Sequence, residues 1–78
     1  MARKYPPIGT PVRKLENRKC GHCESTEIYL YVAGMYTNVY FVECANCDLG
    51  TANVEENQSL AIKNWDDSYL VKVTNDDK

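Results

Sequence analysis

Four cysteines constrain this chain more than anything else in it. Cys20, Cys23, Cys44 and Cys47 fall as two C-x-x-C pairs with 20 residues between them, and no cysteine is left over. One such pair alone, Cys20-Gly21-His22-Cys23, has two readings: the attacking and resolving thiols of a disulfide-exchange enzyme, or half of a metal site. The chain has 78 residues, and a domain so small buries little enough apolar surface that a staple such as a metal or disulfides is expected.

The residues around the pairs arbitrate. A thioredoxin-like enzyme starts a helix at its C-x-x-C and needs a βαβ framework around it. Here Glu24-Ser25-Thr26 follows Cys23, and then Glu27 to Val32 alternates β-branched and aromatic residues as a strand does. The twin pair Cys44-Ala45-Asn46-Cys47 completes the spacing C-x2-C-x20-C-x2-C, at the edge of the range for a structural zinc site. In such a site each turn presents two sulfurs to one tetrahedral ion. Cys20, Cys23, Cys44 and Cys47 are therefore the expected ligands of one Zn2+ per chain. His22 is expected to point outward, because four cysteines already fill the tetrahedron. The first 19 residues have no apolar run of the kind secretion requires, and no stretch approaches the roughly 18 apolar residues of a membrane helix. A soluble protein of a reducing cytoplasm is expected, where structural disulfides are uncommon.

Charge divides the chain. Residues 1–19 hold all three prolines and six basic side chains (Arg3, Lys4, Arg13, Lys14, Arg18, Lys19) against one acid, Glu16, a net +5, while the remainder carries three lysines against ten acids, a net −7. Residues 1–18 accordingly read as a flexible basic arm, 19–73 as the zinc-binding domain and 74–78 as a frayed tail. Within the domain, Ile28 to Val32 and Val39 to Val42 are expected to pair as an antiparallel hairpin across a glycine-containing turn. Ile28 and Leu30 lie on one face, and Tyr29 and Tyr31 on the other. Residues 48–54 suggest a turn and a third short strand, and Leu70 to Val73 an edge strand. From Asn57 to Asp67 the period becomes helical, with Ala61, Trp65 and Tyr69 stepping by four and Leu60 and Ile62 flanking them. The expected fold is a small α+β zinc ribbon with rubredoxin-like knuckles, a hairpin or three-stranded sheet, and one short C-terminal helix. Its expected core is Ile28, Leu30, Phe41, Ala61, Ile62 and Trp65.

The succession KCGHCEST, hairpin, VECANCDLG and QSLAIKNWDD resembles the restriction alleviation (Lar-type) zinc-ribbon proteins of phages and prophages, over roughly residues 19–67. The four cysteines fall on that family's metal positions, and Ala61, Ile62 and Trp65 on the core positions of its helix. Gly21 stands where the family usually has proline, Glu24 where it usually has glycine, and Asp66 where asparagine commonly follows the tryptophan. The resemblance implies a phage-encoded protein that helps incoming DNA survive host restriction by acting on a host protein.

From the residues themselves, binding is expected rather than catalysis. One histidine allows no Ser/His/Asp set, no glycine-rich phosphate loop is present, and a four-cysteine zinc keeps no open position for water. The first hypothesis is a module that docks on a host restriction, defence or transcription protein. The second is a nucleic-acid-binding ribbon whose six arm cations neutralise phosphates. The third, a thiol-disulfide oxidoreductase, needs the helix that the pairs lack. Candidate partner-binding residues are Arg3, Lys4, Arg13, Lys14, Arg18, Lys19, Tyr29 and Tyr31. No membrane and no small-molecule substrate is expected. The tyrosines could also stack bases, but no basic residue lies between Glu24 and Lys63 to accompany them.

Overall fold

Alternation builds the centre of the molecule. In the computed structural model, which describes residues 9–34, 37–47 and 49–72, the strands β2 (Ile28–Gly34) and β3 (Asn38–Cys44) pair antiparallel from Ile28↔Cys44 to Gly34↔Asn38. Three more strands, β1 (Thr10–Lys14), β4 (Leu49–Thr51) and β5 (Leu70–Lys72), extend this hairpin into a five-stranded sheet of order β1-β2-β3-β4-β5. Every neighbouring pair is antiparallel. One helix, α1 (Gln58–Asp66), lies between β4 and β5 in the chain and packs over β2, β3 and β4.

The period-2 and period-3.6 patterns meet on one side of the sheet. Ile28 and Leu30 of β2 and Val42 and Cys44 of β3 turn the same way, and with Leu15, Cys20, Ala61 and Trp65 they form the buried core. Ile62 is half-buried against it. Tyr69, expected on the helical stripe, and Leu60, expected to flank it, are 59% and 48% exposed. The helix has ended before Tyr69, and Leu60 lies off its buried face.

Local chemistry sets the helix ends. Asn57 caps the start, its Oδ1 accepting from the N–H groups of Ser59 (2.7 Å) and Leu60 (3.3 Å). At the other end the N–H of Ser68 donates to Trp65 O and that of Tyr69 to Asn64 O, both at 3.0 Å. This is a Schellman turn, and Ser68 takes the left-handed φ of 64° that it demands. Between β3 and β4 the ladder is a single pair, Glu43↔Gly50. The buried Thr51 hydroxyl accepts from Val42 N at 3.2 Å, where a backbone carbonyl would otherwise be needed.

The opposite face carries a second, aromatic layer. Tyr31 stacks on Phe41 with centroids 5.6 Å apart and planes 7° from parallel, and Tyr29 tilts against Tyr31 at 6.4 Å. Phe41 is fully buried, so it is core as expected, but it lies across the sheet from Ile28 and Leu30. Gly9 crosses it so closely that a methyl group there would lie 2.6 Å from Phe41 Cζ.

Two expectations are corrected here. The sheet has five strands rather than two or three, and residues 10–18 are not a flexible arm. Thr10 to Lys14 pairs with β2 through a register shift between Pro11 and Arg13, and Leu15 N donates to Ile28 O at 2.8 Å. The physical reason is that β2 would otherwise leave a row of backbone groups unpaired at an open edge, and Leu15, 1% exposed, fills the core beneath it. Arg3 and Lys4, Val73 and the expected tail 74–78 lie outside the described residues. Among the described residues no helix is long and apolar enough to cross a membrane.

Candidate metal centre

The β2–β3 hairpin sets the two cysteine pairs side by side. Cys44 ends β3 opposite Ile28, and Ala45 N donates to Glu27 O at 2.8 Å, tying the second turn to the start of β2. The first turn precedes β2 directly. It is closed by Glu24 N to Cys20 O (2.8 Å) and Cys20 N to Ser25 O (2.9 Å). Each turn also bends a backbone N–H onto its own first sulfur, His22 N to Cys20 Sγ at 3.3 Å and Asn46 N to Cys44 Sγ at 3.4 Å. These two bonds are equivalent by position, so the twin pairs adopt twin turns.

The four sulfurs converge. Cys20 and Cys47 are 3.6 Å apart, Cys23 and Cys44 are 3.6 Å apart, and all four lie within 4.8 Å of one another. A disulfide needs about 2.05 Å, and all four cysteines are free. Cys20 and Cys44 are buried, Cys23 and Cys47 half-buried. The cluster could hold one metal ion.

The thiols differ in their surroundings. The Asn46 side-chain amide, donating to Cys23 Sγ at 3.4 Å, and the Ser25 N–H bring the Cys23 thiol down to about 6. Burial pushes Cys47 up to about 12 and raises Cys44. A bound cation would favour the thiolate form of its ligands, so ligand deprotonation would be part of metal binding.

The remaining candidates are placed as follows. His22 is exposed and outside the sulfur cluster. Neither C-x-x-C pair opens a helix, since α1 starts at Gln58. Arg13 is exposed on the edge strand. Lys14 pairs with Glu27 at 3.4 Å, and Tyr29 donates its hydroxyl to the same carboxylate at 3.1 Å, which raises the phenol pKa. Tyr31 is half-buried, and its pKa is raised mainly by that burial. Arg18 grips Asp66 with two bonds, Nε to Oδ1 at 3.0 Å and Nη2 to Oδ2 at 2.9 Å. Lys19 is exposed next to the first turn. Of the described basic residues of the first 19, Arg13, Lys14, Arg18 and Lys19, two are engaged by acids of the same chain.

Three contributions escaped the sequence reading. Asn46 was passed over as a spacer within C-x-x-C, although a short amide two residues beyond a ligand is placed to reach a facing sulfur. Asp66 as the anchor of Arg18 lies 48 residues away, and no local signal announces it. Glu24, at φ 64°, occupies a left-handed position, and the glycine usual there in the resembling family was the available clue. Comparison with known proteins adds no name: no family model matches the chain, no curated protein matches it, and no solved structure matches it.

Proposed function

We propose that this chain is a zinc ribbon that acts by binding a host protein rather than by chemistry of its own. The observation that carries the proposal is the closed cluster of four sulfurs. A tetrahedral ion with bonds of about 2.3 Å to sulfur sets its ligands about 3.8 Å apart, close to the 3.6 Å of the two cross-turn pairs. Four thiolates at that spacing suit Zn2+ and leave it no open coordination position, so the metal serves the fold and presents a surface. The host-directed part, a phage protein of the restriction alleviation type working in the host cytoplasm on a restriction, defence or transcription protein, rests on the resemblance of residues 19–67.

A nucleic-acid role draws less support. Arg18 and Lys14 are held by Asp66 and Glu27, and the net −7 of residues 20–78 opposes a polyanion. The test is an affinity pull-down from bacterial lysate with zinc-loaded protein at near-physiological salt, with and without nuclease. A host protein retained after nuclease treatment is the expected result. Recovery only of material that nuclease removes and salt weakens steeply would replace this proposal with a nucleic-acid-binding ribbon.

A further inference from the structure

A groove of about 570 Å3 runs between the first cysteine turn and the C-terminal end of α1. The half-buried Leu49 and Leu70 give it apolar surface, the buried Trp65 forms its floor, and Lys19 and His22 stand on its cysteine-turn side. Its size falls in the range of ordinary ligand sites. The walls come from parts of the chain far apart in sequence, and they are tied together: Arg18 reaches across to Asp66 with two charge-assisted bonds, and the Schellman turn at Ser68 fixes the helix end.

Charge decides what can lie there. Arg18 is neutralised by Asp66, whereas Lys19 has no ion-pair partner among the described residues. An exposed ammonium thus sits beside apolar surface, paired with no acid among the described residues. A bound zinc tetrathiolate would add about two negative charges behind Cys20, and Asp66 stands on the groove as well. A string of phosphates would meet both. A single carboxylate brings one negative charge to that ammonium rather than a string of them, and an aliphatic or aromatic neighbour would cover Leu49 and Leu70 and exclude water from that contact.

We infer that this groove takes a short extended segment of a partner protein in which an aspartate or glutamate stands beside a large apolar residue. The inference rests on the protein-binding proposal and gives it a location. Lys19 receives the carboxylate, His22 borders it as a further polar group, and Leu49 and Leu70 receive the apolar side chain over the floor formed by Trp65. The guanidinium of Arg18 holds the walls rather than the ligand.

Trp65 is the chain's single tryptophan, so the site carries its own reporter. A display library of random heptapeptides is selected on the full zinc-loaded chain at about 0.15 M salt, and the enriched sequences are synthesised and titrated. Enrichment of Asp or Glu next to Leu, Ile or Phe is expected, with a saturable change in Trp65 emission and amide shifts at 17–22, 49–50 and 65–70. Lys19→Glu should weaken these peptides by about tenfold or more with zinc content unchanged, and Lys19→Arg should retain them. No enrichment, enrichment of basic peptides, shifts confined to the tyrosine face, or displacement of the peptide by duplex DNA would each overturn the inference. A host protein retained equally by wild type and Lys19→Glu would overturn the groove and leave the protein-binding proposal standing. A chain that retains no host protein would remove the proposal itself.

Discussion

The two faces of the sheet are closed by different means. Beneath α1, aliphatic side chains of β2 and β3 meet Ala61 and Trp65, and the same layer runs into the buried Cys20 and Cys44. On the other face no helix of the described residues lies over Phe41. It is shielded by the stacked Tyr31 and by the backbone at Gly9. The first face runs into the cysteine cluster at one end of the hairpin, and the second is covered from Gly9, next to β1. The core thus ends at a cluster able to hold a metal ion, while the aromatics are shielded from the edge-strand side.

The largest effect is expected at the cysteine cluster, where a bound metal would support the helix face. Cys44→Ser should abolish the cooperative unfolding transition, because metal binding in comparable small sites is worth about 10–16 kcal/mol, as much as the whole stability of a typical domain. Near-native thermal unfolding of that variant would detach the core from the cluster.

Acid should weaken the same face. Cys23 is held down to about 6 against an ordinary 9.0, so its contribution is complete above pH 9 and is lost as the pH falls through about 6. Protons compete with the metal in the same direction. A chromogenic chelator should therefore draw the metal out much faster at pH 5 than at pH 8, and a rate independent of pH would contradict this.

Leu15→Ala asks whether the first strand belongs to the core. A loss of about 2–5 kcal/mol in urea denaturation is expected for a residue buried this fully, and a change within error would return residues 10–18 to the status of a loose arm. Gly9→Ala asks the same of the aromatic face. The added methyl meets Phe41 Cζ at 2.6 Å, and overpacking of this kind costs about 1–3 kcal/mol. The smallest effect is a gain. Glu24→Gly should stabilise by roughly 0.5–1 kcal/mol, since the left-handed φ of 64° strains any residue with a Cβ, and the added freedom of glycine in the unfolded chain offsets part of the relief.

What could be read in advance follows the range of each interaction. The cysteine cluster was legible because the spacing of two short motifs carries it, and α1 was legible because Asn57, Ala61 and Trp65 sit within a few turns of one another. The faces of Ile28, Leu30, Tyr29 and Tyr31 followed from strict alternation. Strand β1 was hidden by its own residues: Pro11, Arg13 and Lys14 suit a guarded edge strand, and in sequence they look like a solvated tail. Leu15, between Lys14 and Glu16, gave no sign that it was core. The bond between Arg18 and Asp66, and the groove beside it, depend on how the segment before the first cysteine turn meets the end of α1, which no local pattern encodes.

The central claim is that the four cysteines hold one metal ion on which the fold depends. Native mass spectrometry of the purified chain, paired with a thermal melt before and after strong chelation, tests it most directly. One zinc per chain and a melting transition that disappears on chelation is the predicted result. A chain that carries no metal, or that melts unchanged once its metal is removed, would contradict the account.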